Sequence, residues 1–245
     1  MFTQSMFTII ENKPIVRDVY RLALSGDASA VTAPGQFVNI RLEGFYLRRP
    51  ISVCDWDASG VTLIYKVVGK GTDCLSRLLP GAELDLLVGL GNGFDVSKSG
   101  QKPLLIGGGV GVPPLYGLAK KLAAGGKTPI AILGFNTRGD VFYADEFRAL
   151  GVDTLVSTAD GSMGQKGFVT DVMRGLTDYT YIYACGPMQM LQAVHGLTRT
   201  GGQFSFEERM GCGFGACMGC SCQTKYGSRR ICREGPVLER EEIIW

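Results

Sequence analysis

The stretch Arg209-Met-Gly-Cys-Gly-Phe-Gly-Ala-Cys-Met-Gly-Cys-Ser-Cys222, followed ten residues later by Cys232, decides how the end of this chain is organised. Cys212, Cys217, Cys220 and Cys232 follow the pattern C-x4-C-x2-C with a distant fourth cysteine. This spacing is typical of a [2Fe–2S] cluster that is held by four thiolates. The glycines interleaved with the cysteines let a short loop turn tightly and approach the cluster sulfides, where a Cβ would clash.

Two other interpretations of these cysteines stay open. A structural zinc site also takes four cysteines, although zinc ribbons usually pair one C-x2-C with another. Disulfides of a secreted domain are a further alternative, but the N-terminus shows no secretory signal pattern. Cys222 lies two residues beyond Cys220, and spacing alone does not exclude it as a spare or competing ligand.

Composition and charge narrow the function classes. A chain of 245 residues is long enough for more than one domain with its own core. The net charge of +2 favours neither nucleic acid nor an anionic membrane as a partner. No run approaches the roughly 18 apolar residues of a transmembrane helix, and we expect a cytoplasmic protein. The single histidine, His195, makes a His-based zinc site or a Ser-His-Asp hydrolase improbable.

Residues 1–97 alternate short β-type runs with turns that contain glycine or proline. Six runs with polar turns and little helix predict a small antiparallel barrel. The predicted strands are Phe7–Ile10, Val19–Leu24, Gln36–Arg41, Ile51–Val53, Val61–Val68 and Leu84–Leu87.

Within this barrel, Arg49-Pro50-Ile51-Ser52 is a candidate ligand-binding strand. Arg49 is a planar cation suited to bidentate binding of a diphosphate. Downstream, Ile64-Tyr65-Lys66 precedes Gly71-Thr72, which we predict to open a short helix with Thr72 as its N-cap. The free N–H groups at that turn are suited to a phosphate.

Residues 98–204 show the alternation of strands and helices that predicts a parallel sheet with helices on both sides. The first unit has a glycine turn with Gly108, Gly109 and Gly111, but the turn does not fit G-x-G-x-x-G and is a weak signal by itself. Ligands bind such sheets at the carboxyl ends of the strands. The end of a later strand carries Cys185, Gly186 and Pro187, and we interpret Cys185 as a buried thiol in preference to a catalytic one.

Two of these motifs carry a family resemblance. Arg49-Pro50-Ile51-Ser52 resembles the Arg-x-Tyr-Ser motif of the ferredoxin–NADP reductase superfamily, in which the Arg holds the FAD pyrophosphate and the Ser lies near flavin N5. Ile51 departs from the family's aromatic, so the stacking partner here is Tyr65 or an aliphatic face. The Gly107–Gly111 turn and the Cys-Gly-Pro loop resemble the pair that brackets the nicotinamide and pyrophosphate of NAD(P)H in that superfamily.

The segment Phe206–Cys217, with Cys232 and the following Gly-Pro-Val, resembles the electron-transfer subunits of type B dihydroorotate dehydrogenases. Related reductase subunits typically have Asp at the first ligand position, so Cys212 favours the dihydroorotate branch. The resemblance implies FAD, a [2Fe–2S] cluster in residues 205–245, and NAD(H) as co-substrate. It further implies an FMN-containing catalytic partner in pyrimidine biosynthesis, a heterotetramer with two copies of each subunit, and no catalytic acid or base in this chain.

Rival functions remain at the level of sequence. One is an NAD(P)H reductase for another acceptor, such as ferredoxin, an oxygenase or a sulfide- or sulfite-linked enzyme, and another is a zinc-binding regulator. Arg138 is a candidate contact for the 2′-phosphate of NADP, but it fits a charged surface turn equally well, so the sequence does not decide between NAD and NADP. The tail Ile243–Trp245 ends in apolar residues, and we expect it to pack near the cluster, within the chain or at the partner interface.

Overall fold

The structure, a computed structural model, describes residues 2–245. Its first six strands close into an antiparallel barrel in the order β1-β2-β5-β4-β3-β6, which confirms the prediction. Branched and aromatic side chains on their inward faces, such as Leu22, Leu63 and Leu86, are fully buried. The strands are β1 (Thr3–Val16), β2 (Val19–Ser25), β3 (Phe37–Ile40), β4 (Arg49–Asp57), β5 (Gly60–Lys66) and β6 (Glu83–Leu90).

One short helix, α1 (Lys70–Ser76), connects β5 to β6. The prediction that Thr72 is its N-cap was wrong, because the helix begins after Gly69 and Thr72 occupies its third position. From there the Thr72 hydroxyl accepts hydrogen bonds from the backbone N–H groups of Val68 (3.0 Å) and Gly69 (3.3 Å). Thr72 therefore fixes the turn from inside the helix.

The second half of the chain alternates strands and helices as predicted. None of the helices in residues 2–245 is both long and apolar enough to cross a membrane. The elements are β7 (Pro103–Gly108), α2 (Val112–Ala124), β8 (Ile130–Phe135), α3 (Ala144–Ala149), β9 (Asp153–Thr158), β10 (Gln165–Lys166), α4 (Val169–Met173), β11 (Tyr181–Cys185), α5 (Met188–Leu197) and β12 (Gly202–Ser205).

The C-terminal segment carries the cysteines and then returns to the sheet. It contains the hairpin β13 (Ser221–Thr224) and β14 (Gly227–Arg230), followed by β15 (Val237–Glu239). β15 pairs antiparallel with β12, which completes a mostly parallel sheet in the order β10-β9-β8-β7-β11-β12-β15. The cysteine segment is therefore a loop and hairpin that both leave and rejoin the second sheet.

The strand order reverses between β7 and β11. The chain runs from β7 outward through β8 and β9, then crosses back to place β11 on the other side of β7. Such a switch point opens a crevice at the carboxyl ends of its strands, where α/β proteins bind their ligands. Helix α2 brings this edge to the barrel by packing on β4, an approach that requires Gly117, since a Cβ there would lie 2.8 Å from the Cys54 carbonyl oxygen.

Candidate functional site

The two glycine-containing loops predicted from sequence meet at the switch point. Cys185 of β11 pairs with Gly107 of β7, so the loops that follow these strands lie side by side. A Cβ on Gly111 would lie 2.2 Å from the Cys185 carbonyl oxygen. A Cβ on Gly186 would lie 3.1 Å from the Gly108 backbone nitrogen. Only glycine permits this backbone contact, which brings the predicted residues Gly108, Gly111 and Cys185–Pro187 together.

Gly109 is the open corner of the first loop. Its φ of +52° lies in the left-handed region, and no heavy atom lies within 4 Å of the position that a Cβ would take. Helix α2 begins just beyond it, with Pro113 and Pro114 in the first turn as predicted. The backbone N–H groups of this turn and helix start are the kind of donors that bind a pyrophosphate.

Cys185 is a buried thiol, as interpreted from the sequence. Burial raises its pKa to about 12, and the neighbouring Glu207 carboxylate adds to the rise. A thiol with this pKa is protonated at neutral pH and is a poor nucleophile. The function of the loop therefore lies in its backbone and shape.

The barrel motif and the Gly71 turn also come together. The Arg49 guanidinium lies 4.9 Å over the Phe45 ring and donates a hydrogen bond to the Leu47 carbonyl. A Cβ on Gly71 would lie 2.1 Å from Arg49 Nε, so the absence of a side chain at Gly71 makes room for this cation. Arg49 and the start of α1 thus form one surface with the polarity that a diphosphate requires.

The neighbouring run Ile64–Lys66 is placed differently from one residue to the next. Ile64 packs with Val112 at the boundary between barrel and sheet, whereas Lys66 is exposed. Tyr65 is buried in the barrel, where its ring stacks on Tyr20 and its hydroxyl donates to Asn12 Oδ1 at 3.0 Å. The Tyr65 ring is thus engaged in the barrel core.

The four predicted cluster ligands lie in one region of the structure. Cys220 and Cys232 are buried, Cys212 is half-buried and Cys217 is exposed. Backbone N–H groups point at their sulfurs: Ala216 N–H donates to Cys212 Sγ at 3.2 Å, and Cys232 N–H donates to Cys220 Sγ at 3.4 Å. Such donors stabilise negative charge on cluster sulfurs.

The sulfurs form two pairs with opposite environments. Burial alone would raise the pKa of Cys212, but hydrogen bonds from Cys217 and other backbone donors outweigh it and lower this pKa to about 6. Burial, with a hydrogen bond to Cys220, raises the pKa of the Cys232 thiol to about 12. Within residues 2–245 no three His, Cys, Asp or Glu side chains converge on a single metal-ion position. The pairs Cys212–Cys217 and Cys220–Cys232 instead match a two-iron centre, in which each iron takes two thiolates.

Polar side chains that the sequence analysis missed hold this loop. Arg230 donates to the Gly215 carbonyl at 2.7 Å and pairs with Glu234, a hydrogen bond that lowers the pKa of that carboxyl to about 2. Asn92 exchanges four hydrogen bonds with the backbone of residues 234–237. Asn39 donates to the Cys212 carbonyl at 3.3 Å. A polar residue within the apolar run Gln36–Arg41 was the available signal for Asn39, whereas Asn92 and Arg230 have no pattern of their own.

Cys222 and the C-terminal tail are placed by the hairpin. Cys222 lies in β13 opposite Arg229, and burial raises the pKa of its thiol. The tail folds back on the same chain: Ile243 bridges Thr224, and the Trp245 ring lies 5.4 Å from His195. His195 is therefore a packing residue, as interpreted from the sequence.

Barrel, switch-point sheet and paired cysteines together define a reductase of the ferredoxin–NADP reductase type with an added iron–sulfur segment. Residues 207–244 match the iron–sulfur cluster binding domain of dihydroorotate dehydrogenase B, and residues 105–196 match the oxidoreductase NAD-binding domain. The chain belongs to the family of dihydroorotate dehydrogenase B (NAD(+)) electron transfer subunits, because it is 43% identical to that subunit of Geobacillus sp. (strain WCH70) over the full length of both chains.

Two further comparisons agree with this assignment. The same subunit of Fusobacterium nucleatum is 44% identical over 96% of each chain. The solved structure of an NADH-dependent reduced ferredoxin–NADP oxidoreductase is 32% identical, with a TM-score of 0.90 over 98% of this chain and 90% of the other. The predicted fold, the oxidoreductase class and the cofactor set of FAD, [2Fe–2S] and NAD(H) are thereby confirmed.

The contact between the two switch-point loops can be tested with Gly111→Ala. The added Cβ collides with the Cys185 carbonyl, and overpacking of this kind costs about 1–3 kcal/mol. We expect the rate of flavin reduction by NADH, measured by stopped flow at limiting NADH, to fall about tenfold with unchanged flavin and iron content. Gly196→Ala, where a Cβ meets nothing within 4 Å, is the matched control. Wild-type NADH kinetics in Gly111→Ala would contradict the importance of this contact.

The ligand set can be tested by comparing Cys222→Ser with Cys220→Ser. The Cys220 sulfur accepts the Cys232 N–H inside the paired arrangement, whereas Cys222 lies in the hairpin. We expect Cys222→Ser to keep the iron content and visible spectrum of the wild type, and Cys220→Ser to lose both. Measured iron per chain, after anaerobic purification, decides the matter. The reverse pattern would make Cys222 the ligand.

Proposed function

We propose that this chain passes electrons between NAD(H) and the FMN of a dihydroorotate dehydrogenase catalytic subunit in pyrimidine biosynthesis. One observation carries the proposal: a single fold places a reductase switch point, an Arg-Pro-Ile-Ser barrel strand and two pairs of cysteines next to one another. The family assignment supports the same function. We divide the chain into a FAD-binding unit at 1–97, an NAD-binding unit at 98–204 and a cluster unit at 205–245.

In this proposal the barrel holds FAD on its outer surface. Arg49 binds the pyrophosphate together with the backbone of Gly71 and Thr72, and Gly71 provides the space that this requires. Pro50, Ile51 and Ser52 of β4 line the flavin, and the backbone of Ile64, Tyr65 and Lys66 borders it. The strand and the turn would orient the ring, and hydride transfer itself requires no acid or base from this chain.

The switch-point loops hold NAD(H) in this proposal. Gly108, Gly109 and Gly111 present backbone N–H groups, and the Cys185–Pro187 loop closes against them. Ile64 and Val112 belong to one buried cluster at the boundary between barrel and sheet, which joins the strand bordering the first surface to the helix that follows the second. The chain thereby brings a nicotinamide and a flavin together without contributing an acid or base.

Cys212, Cys217, Cys220 and Cys232 hold the cluster in this proposal. The nicotinamide exchanges a hydride, the cluster exchanges single electrons, and the flavin converts between the two when bound. The chain keeps the four thiolates in two pairs and supplies backbone donors to their sulfurs. It shields the inner pair, Cys220 and Cys232, from water. These are the contributions that a protein makes to redox chemistry carried by cofactors.

We propose that the catalytic partner docks on the face around the outer cysteine pair, Cys212 and Cys217. Cys217 is exposed there, and Met218 next to it is 54% exposed. The rings of Phe2 and Phe214 stack at 5.6 Å, and each is 40% exposed. Aromatic residues and Met are enriched in protein interfaces, and an electron leaving the chain needs a short path at this face.

The complex is proposed to contain two copies of each subunit and to be cytoplasmic. All eight cysteines are free thiols, and four of them are required as cluster ligands, which fits a reducing compartment. Light scattering of the purified complex measures the mass and hence the stoichiometry.

The proposed function predicts a coupled reaction that neither subunit performs alone. We expect the chain, purified anaerobically with its FMN-containing partner, to reduce NAD⁺ when dihydroorotate is added, and to show flavin and [2Fe–2S] absorption. NADH oxidation by the chain with an artificial acceptor, but no dihydroorotate-dependent activity with the partner, would indicate a reductase for another acceptor. Zinc without iron or flavin would indicate a zinc-binding protein instead.

The docking face predicts the effect of Phe214→Asp. A charge placed in the aromatic pair is expected to weaken binding of the catalytic subunit by about 2 kcal/mol, a typical value for an interface hot spot. NADH oxidation by the isolated chain with an artificial acceptor should be unchanged. Leu79→Asp alters an apolar residue on the barrel that is more exposed than Phe214, at 74% against 40%, and is the control. Equal affinity of both variants for the partner, measured by calorimetry, would place the interface elsewhere.

A further inference from the structure

Asn39 is a polar residue buried at the boundary between the barrel and the cysteine loop. Its neighbours Val38 and Ile40 on β3 point into the barrel core. Since side chains alternate along a strand, Asn39 and Phe37 point outward. Phe37 packs there with Cys220 and Cys232, and Asn39 is only 1% exposed. The outer face of β3 is therefore the floor on which the cysteine loop lies.

The Asn39 amide is joined to the loop at its first ligand. Asn39 Nδ2 donates to the Cys212 carbonyl at 3.3 Å. The next residue, Gly213, has a φ of +81°, and a Cβ there would lie 2.3 Å from the same nitrogen. The loop backbone is thus moulded around this one side chain.

The other end of the amide lacks a partner. Asn39 Oδ1 is buried, and no donor among the described residues reaches it. Buried polar atoms without a partner are rare in proteins and call for an explanation, such as an absent water, ion or ligand. The amide therefore has one hydrogen bond to the cluster loop and one unused acceptor.

Asn39 is also the cross-strand neighbour of the proposed flavin strand. It pairs with Pro50, and Phe37 pairs with Ser52. Directly paired residues have Cβ atoms about 4.5–5.5 Å apart. Arg48 donates to the Asn39 carbonyl at 3.3 Å and so fixes the backbone at this point. The side chain is held between the two proposed cofactor surfaces.

We propose that Asn39 is a positioning residue that fixes the cluster loop relative to the flavin, with Nδ2 on the loop and Oδ1 accepting a hydrogen bond from an N–H or O–H group of the bound FAD. The inference rests on the proposed function, since it requires both cofactors. In this proposal the Asn39 amide sets the distance between the flavin and the cluster, across which single electrons pass.

The test uses the full-length chain loaded with FAD and cluster. Asn39→Leu has a similar volume but no polar side-chain atoms, and two steps are measured separately in it: reduction of the flavin by NADH and the transfer of electrons from flavin to cluster. The transfer from flavin to cluster, observed by stopped flow, should slow several-fold relative to the reduction of the flavin, because the rate of single-electron transfer falls as the two cofactors move apart. The EPR spectrum of the reduced cluster should change as well.

A second variant separates positioning from stability. Asn39→Asp keeps the shape and an acceptor oxygen but replaces the donor to Cys212 with a negative charge. It should lower the cluster midpoint potential, because added negative charge disfavours the reduced cluster. It also provides the measurement if Asn39→Leu fails to retain its cluster.

Gln203→Leu is the matched control for the loss of a buried amide. Gln203 is 4% exposed and makes two hydrogen bonds, to Asp95 N–H and to Glu239. It should lower the melting temperature without changing the EPR spectrum, the potential or the flavin-to-cluster rate. If both Asn39 variants behave like Gln203→Leu, the inference is overturned. Absence of flavin or iron from the wild type would instead overturn the proposed function.

Discussion

Burial of Cys220 and Cys232 between the barrel and the sheet is the constraint on which the rest of the structure depends. Both thiols belong to one apolar cluster that includes Phe37 and Leu90 from the barrel and Phe204 from the sheet. A loop rich in glycine has little conformational preference of its own and must be ordered by its surroundings. The outer face of the barrel supports the loop, and Asn92 donates a hydrogen bond to the backbone that follows it. Strand β15 then returns the chain to the sheet. The cysteine loop thereby gains its shape from all parts of the molecule.

A second constraint acts at the switch point, where backbone meets backbone. Gly111 and Gly186 permit an approach that any side chain would block. Gly117 plays the same role six residues further along the chain than Gly111, where α2 meets β4. These contacts join the two glycine-containing loops to each other and helix α2 to the barrel. The barrel and the sheet are therefore joined by two kinds of contact: close backbone approach around the switch point and apolar burial under the cysteines.

The success of prediction from the sequence follows from how local each signal is. The six short strands and the strand–glycine–helix unit are carried by neighbouring residues, and the structure has both. Thr72 was misplaced because a hydroxyl can cap the start of a helix from its third position as well as from its first. The pairing of β15 with β12 and the contact of Asn39 with Cys212 join residues far apart in sequence. No local pattern encodes such contacts, so they were not foreseen.

The two cysteine pairs differ in their exposure and in their surroundings. Cys212 has its pKa lowered by backbone donors and lies beside the exposed Cys217, whereas burial raises the pKa of Cys232. The outer pair, Cys212 and Cys217, lies in the loop that carries Phe214, whose ring stacks on Phe2. The inner pair faces the apolar floor, close to β3 and its neighbour β4. This difference in exposure gives the site a distinct inside and outside, which an electron transfer subunit requires.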